Sequence, residues 1–348
     1  MITRRPTKAI TIGSVTIGNG APVVVQSMTK TDTRDVRATV SQIRELEECG
    51  CELIRVAVPD QEAATAIGAI KKSIGIPLVA DIHFDHRLAL AAIAAGADGL
   101  RLNPGNIANR DKVAAVVMAT KERGVPIRIG VNAGSLPPAT DPKQSIAQRM
   151  VAAALGHVKI LEDLDFDLIK LSLKAFDVPT TVEAYRLVAE STPYPLHLGI
   201  TEAGLPSTGI IRSATGIGAL LYLGLGDTIR VSLTAHPREE VAAGYEILKS
   251  LNLRQRGPVL VSCPTCGRTE VDIAAITEEV ALALSQVAKP IRVAVMGCAV
   301  NGPGEAKDAD VGIACGRDNA VLFRKGQQLA VIARNDFVSA LMREIETL

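Results

Sequence analysis

Short apolar runs alternate with longer amphipathic ones along the first two thirds of the chain. The short runs are rich in Val, Ile and Leu and are bounded by Gly, Pro or polar residues, as strands buried on both faces are. They predict strands at 23–28, 52–58, 77–84, 99–103, 126–132, 167–174, 196–201 and 228–233. Between them lie helical patterns at 35–49, 61–73, 86–95, 110–123, 145–164, 182–191 and 210–223. Many of these stop at Gly or Pro just ahead of the next strand. Eight evenly spaced β/α units favour a (β/α)8 TIM-type barrel over a doubly wound open sheet. Residues 8–19 alternate about Gly13 and Ser14, which predicts a hairpin able to cover the bottom of that barrel.

The pattern changes after this point. Residues 236–262 predict one helix and then a strand. A smaller α/β unit follows, with a helix at 278–287, a strand at 291–296, a Gly-rich loop at 297–304, a hairpin around 316–319 and a closing helix at 336–347. The expected division is a barrel domain at 1–240 and a second domain at 241–348. Composition narrows the class. An apolar fraction of 47% argues against disorder. A net charge of +1, from 38 Lys+Arg against 37 Asp+Glu, and 3% aromatics argue against a nucleic-acid binder. No apolar run approaches the roughly 20 residues that span a bilayer, and the N-terminus lacks a signal-peptide core. The expectation is a cytoplasmic protein with no membrane or nucleic-acid partner. In that reducing compartment the six cysteines are thiols or metal ligands rather than disulfides.

A (β/α)8 barrel carries its active site at the C-terminal ends of its strands. A doubly buried strand should be almost wholly apolar, yet Arg55, Arg101, Arg128, Lys170 and Arg230 interrupt these strands. Acids inside the strands are scarce, with Asp81 the clear one, so each cation pairing with its own buried carboxylate does not account for the set. Cations converging on one mouth repel each other unless an anion joins them, and Arg forks suit phosphate oxygens. The pattern therefore points to a small polyanionic substrate such as a diphosphate. Asn103, Asn132, Ser172, Lys174, His197 and Ser232 lie at the same strand ends and complete the candidate binding set. His83, Thr201 and Glu202 occupy positions suited to a general acid or base, as does Asp81. A bland structural role stands beside each of these: His83 and His197 as hydrogen-bonded strand histidines, Glu202 as a helix N-terminal acid.

Cys263 and Cys266 form a CxxC followed by glycine, and Cys298 follows in GCAVNGPGE at 297–305. Thiolates from two loops can converge on one metal centre. A CxxC alone is ambiguous between zinc, a redox disulfide and an iron–sulfur centre. Structural zinc would close its site with a fourth Cys or His. Cys315 or Glu305 could supply a fourth ligand here, although Cys315 reads as a packed thiol. Cys49 and Cys51 read as small core residues.

CPTCGR at 263–268 and GCAVNGPGE at 297–305 resemble the cluster motifs of the 4-hydroxy-3-methylbut-2-enyl diphosphate synthase (IspG/GcpE) family. QSMT, LIRVAVP, VADIHF, LRLNPGN, IRIGVN, LHLGITEAG and IRVSLT in the barrel strands are similar to it too, so the resemblance spans essentially the whole chain in the two-domain bacterial form. It implies reductive ring opening of 2-C-methyl-D-erythritol 2,4-cyclodiphosphate, with loss of water, to (E)-4-hydroxy-3-methylbut-2-enyl diphosphate in the non-mevalonate isoprenoid pathway. It implies a 4Fe–4S cluster held by Cys263, Cys266, Cys298 and Glu305, and two electrons from flavodoxin or ferredoxin. It further implies a homodimer in which one subunit's cluster domain caps the other's barrel. Two other classes fit parts of the pattern: a zinc-stabilised lyase or aldolase with Lys170 or Lys174 as Schiff-base amine, and a non-catalytic redox sensor.

Overall fold

The computed structural model describes residues 2–348 apart from 108, 140, 299–303 and 305. The chain divides into two compact units, Met1–Arg254 and Gln255–Leu348.

The first unit opens with the antiparallel hairpin β1 (Ile10–Ile12) and β2 (Val15–Ile17), turning at Gly13 and Ser14. Eight parallel strands follow: β3 (Val24–Met28), β4 (Leu53–Ala57), β5 (Leu78–Asp81), β6 (Gly99–Arg101), β7 (Ile127–Asn132), β8 (Ile169–Lys174), β9 (His197–Leu198) and β10 (Thr228–Ile229). Each predicted strand falls on one of them. Their order is β8-β7-β6-β5-β4-β3-β10-β9. A single parallel bridge from Leu171 to Leu196 closes the ring. The helices alternate with the strands: α1 (Val36–Glu48), α2 (Gln61–Lys71), α3 (His86–Ala94), α4 (Arg110–Arg123), α5 (Ile146–Glu162), α6 (Val178–Ser191), α7 (Pro206–Tyr222) and α8 (Pro237–Ser250). The boundary lies at 254/255 rather than 240/241. A cut at 240 would split α8, whose Val241, Tyr245, Ile247 and Leu248 are buried in the barrel's core.

Local chemistry places these helices. Asp35, Asp60, Asp85, Asn109, Ser145 and Asp177 each cap a helix with a side-chain oxygen on a first-turn N–H. The apolar faces of helices and strands then form one core. Beneath the barrel, Ile10, Ile12 and Ile17 of the hairpin pack against Val24, Leu53 and Val79 at the start of three strands. The hairpin is therefore an apolar floor, and only the opposite end of the barrel is left for polar chemistry.

Ring closure is thin at β8–β9, and Tyr185 of α6 reinforces it. Its hydroxyl accepts from Leu173 N at 3.1 Å and donates to His197 O, one partner on each strand. Tyr185 is fully buried. Tyr185→Phe should therefore strand both backbone groups at a cost of about 2 kcal/mol. Denaturant unfolding of the barrel would measure this, and an unchanged midpoint would refute the role.

The second unit holds a five-stranded mixed sheet, β11 (Val259–Ser262), β12 (Arg292–Met296), β13 (Val311–Cys315), β14 (Asn319–Arg324) and β15 (Gln327–Ala333), in that order. The first three run parallel and the last two antiparallel. α9 (Ile273–Leu284) and α10 (Phe337–Thr347) cover one face through Val280, Leu284, Phe337 and Leu341. α9 starts earlier than predicted because Asp272 caps it on Ala275 N.

Candidate functional site

Strand pairing decides what faces the barrel interior. Ala57, Asp81, Arg101, Arg128 and Lys170 are register partners across five neighbouring strands, so an acid and three cations share one face of the sheet, while strand stagger sets their depth along the barrel. At the C-terminal ends a cavity of about 160 Å³ is lined by Arg55, Asp81, His83, Arg101, Arg128, Gly130, Asn132, Ser172, Lys174, Ile200, Thr201, Arg230 and Ser232. Most of the residues singled out in the sequence thus meet at one mouth.

Four of them do not line the cavity. Lys170 and His197 are almost wholly buried one layer deeper, with Lys170 Nζ and His197 Nε2 lacking hydrogen-bond partners. His197 is tied to Thr228 Oγ1 at 2.7 Å. This depth removes Lys170 as a Schiff-base amine. Asn103 is buried and spends its amide on the Gly130 backbone, donating to its oxygen at 2.8 Å and accepting from its nitrogen at 2.9 Å. It shapes the β6–β7 edge rather than offering a free amide. Glu202 is exposed just past β9 with φ +55°, a left-handed conformation uncommon for Glu and costly enough to suggest a constrained site.

Charge in the mouth is unevenly compensated. Asp81 lies 3.6 Å from Arg55 Nε, 3.5 Å from Arg101 and 3.7 Å from His83 Nε2. Glu240 of α8, which the sequence reading missed, reaches Arg230 at 3.4 Å. Among the described residues, no carboxylate stands within ion-pair distance of Arg128, Lys170 or Lys174. Arg128 NH1 donates to Ser172 Oγ at 2.9 Å, but its Nε and NH2 are unpartnered. Gly199 lets Lys174 reach the mouth, because a Cβ there would stand 2.6 Å from Lys174 Nζ.

The titration directions follow. Burial pushes the Asp81 carboxyl up, but His83 and the Arg55 and Arg101 guanidiniums outweigh it and hold it below the usual carboxylate range. Burial brings Arg55 down to about 10, with Asp81 opposing. Burial, then the neighbouring cations, depress Arg128, Lys170 and Lys174 well below their ordinary values. An anion in the cavity would supply the countercharge that these groups lack.

Two cysteines of the second unit lie just past the C-terminal ends of neighbouring strands. Cys263 directly follows β11 and Cys298 lies two residues past β12, and these strands pair in parallel with Ser262 opposite Val295. Both thiols therefore leave neighbouring strands at the same end. Gly297 N donates to Cys263 Sγ at 3.1 Å. The backbone N–H of Arg268, with help from its side chain and Thr269, draws the exposed Cys266 thiol down from its ordinary value, toward the thiolate that metals bind. These donors fit a thiolate-ligated cluster at Cys263, Cys266 and Cys298. Among the described residues no three His, Cys, Asp or Glu side chains are placed to share a single metal ion, and Glu305 lies outside those residues. Cys315 is fully buried, and burial pushes its thiol up to about 12. Cys51 is buried too and Cys49 partly so.

Two family models match this chain: the GcpE TIM-barrel domain over residues 7–245 and the GcpE protein C-terminal domain over 259–347. It is 67% identical over 348 residues, all of both chains, to a 4-hydroxy-3-methylbut-2-en-1-yl diphosphate synthase (flavodoxin) of Dehalococcoides mccartyi. It is 56% identical over 347 residues, 99% of each chain, to the synthase of that name from Thermodesulfovibrio yellowstonii. Among solved structures, dihydropteroate synthases from Xanthomonas albilineans and Stenotrophomonas maltophilia superpose with TM-scores of 0.53 and 0.54 at 16% identity. Each covers 71% of this chain and 97% of that structure, a likeness of fold alone.

Proposed function

The chain belongs to the GcpE family, and from that premise we propose that its barrel mouth binds 2-C-methyl-D-erythritol 2,4-cyclodiphosphate for reductive opening to (E)-4-hydroxy-3-methylbut-2-enyl diphosphate. The observation that carries this reading is the uncompensated charge of Arg128 and Lys174 beside Ser172 and Asn132 in a cavity sized for a small molecule. A cyclic diphosphate brings the negative charge this wall lacks. Arg55, Arg101 and Arg230, already aimed by Asp81 and Glu240, complete the clamp with Ser232. Bidentate guanidinium contacts fix the ring's orientation as well as neutralising it.

Asp81 is held ionised, so it orients its cations and His83 rather than delivering protons. His83 and Thr201, which line the cavity, are our candidates to move a proton to the departing oxygen, with Glu202 just outside it. Cys263, Cys266, Cys298 and Glu305 would hold a 4Fe–4S cluster. That cluster, when bound, supplies electrons singly and a Lewis-acidic iron beside its oxygen ligand. The relatives' name specifies flavodoxin, which we take as the donor in preference to ferredoxin. A cytoplasmic homodimer completes the proposal; no helix among the described residues is long and apolar enough to cross a membrane.

Anaerobic turnover of the cyclodiphosphate with reduced flavodoxin tests the reading. Two-electron product is expected. A colourless, zinc-containing protein without turnover would overturn it.

A further inference from the structure

Glu240 is 2% exposed, and one of its partners is the cavity-lining Arg230. Its Oε1 accepts from Leu233 N at 3.0 Å and lies 3.2 Å from Lys30 Nζ. Its Oε2 lies 3.4 Å from Arg230 NH2. Lys30, on the loop after β3, also donates to Leu233 O at 2.8 Å and to Ala235 O. One carboxylate on α8 thereby joins the segment that follows β10, the loop after β3 and a cavity-lining guanidinium. Arg230 has no other carboxylate within ion-pair distance among the described residues, and its Nε is unpartnered. A long side chain without such an anchor would sample many rotamers and lose binding free energy when fixed by an anion.

We infer that Glu240 is a positioning residue: it holds the Arg230 guanidinium at the cavity wall so that its remaining donors meet the substrate's anionic group. The inference rests on the proposed diphosphate reading, and its test separates the two. Its negative charge taken alone opposes an incoming anion. A purely electrostatic role therefore predicts tighter anion binding when the charge is removed, and positioning predicts weaker binding.

The test is a titration of the whole protein with inorganic pyrophosphate, by calorimetry, for wild type, Glu240→Gln, Arg230→Met and the double variant. Glutamine keeps an acceptor for Leu233 N and removes the charge that holds Arg230. Glu240→Gln should weaken pyrophosphate binding about tenfold, and in the assay raise KM by a similar factor with kcat within about threefold. In the Arg230→Met background the same change should have no further effect, since no guanidinium is left to position. Unchanged or tighter binding in Glu240→Gln, or a full tenfold loss persisting without Arg230, would overturn the inference. If Glu240→Gln does not fold, the paired Lys30→Met/Glu240→Gln variant removes cation and anion together and takes the same titration, with the same tenfold loss expected. Failure of the wild type to turn over the cyclodiphosphate would count against the proposed reaction, while the pyrophosphate titration would still decide the role of Glu240.

Discussion

Cys298→Ser should lose its iron, its colour and more than about a thousandfold of its turnover, while Cys315→Ala keeps all three. A serine oxygen at physiological pH is protonated and hard, a poor replacement for a thiolate on iron. Cys298 stands at the strand ends it shares with Cys263, where Gly297 N already donates to the Cys263 sulfur. Cys315 has the opposite surroundings. It is fully buried among Val293, Val295, Val311 and Ile313, and its thiol is pushed away from ionisation. Alanine there removes a small apolar volume, at a cost of about 1–2 kcal/mol. Iron and sulfide analysis after anaerobic purification reads the first effect, and thermal unfolding reads the second. Loss of iron from Cys315→Ala would mean that the fourth ligand is the buried thiol and not Glu305.

The second large effect is expected at Arg128. Arg128→Met should lower kcat/KM for the cyclodiphosphate a hundredfold or more, equivalent to about 3 kcal/mol of lost charge-assisted contact. The same change should stabilise the ligand-free barrel. The guanidinium is 3% exposed, keeps one hydrogen bond to Ser172 and faces Arg55, Arg101 and Lys170 with two nitrogens unpartnered. Replacing an uncompensated buried ion by an apolar chain of similar length is worth about 1–4 kcal/mol. Pyrophosphate should raise the unfolding midpoint of the wild type and leave that of Arg128→Met nearly unchanged. A variant that is both less stable and fully active would show that Arg128 is a structural residue with a local partner.

The sign of the pH dependence follows from the same burial. Lys174 is depressed in the ligand-free protein, chiefly by burial and then by Arg128 and Arg230. A bound anion favours its protonated form, so binding takes up a proton and weakens as pH rises from the depressed value of the free protein toward the higher value of the complex, which pyrophosphate titrations across pH would read.

Much of the barrel was legible because a strand buried on both faces must be apolar, so each cation that broke the pattern marked itself. Depth along the barrel was not legible. Lys170, Ser172 and Lys174 share a parity, but only strand stagger decides that Lys170 lies below the cavity while the other two line it. The predicted helices at 182–191 and 210–223 leave out the first turns of α6 and α7, where Pro179 and Pro206 sit in the opening turn that proline suits. Asp177, a good N-cap, was the signal available at α6. β15 was missed because Gln327–Ala333 is an exposed edge strand with no buried alternation. Glu240 was missed because it approaches the mouth from a helix, where an acid breaks no apolar pattern.

The central claim is that a cationic barrel mouth and a cysteine-bound cluster serve one reaction. Turnover of 2-C-methyl-D-erythritol 2,4-cyclodiphosphate by anaerobically purified protein with reduced flavodoxin tests it most directly. One 4-hydroxy-3-methylbut-2-enyl diphosphate should form for each two electrons consumed, with activity tracking iron content. An iron-loaded protein that binds the cyclodiphosphate and leaves it unreduced under these conditions would contradict the account.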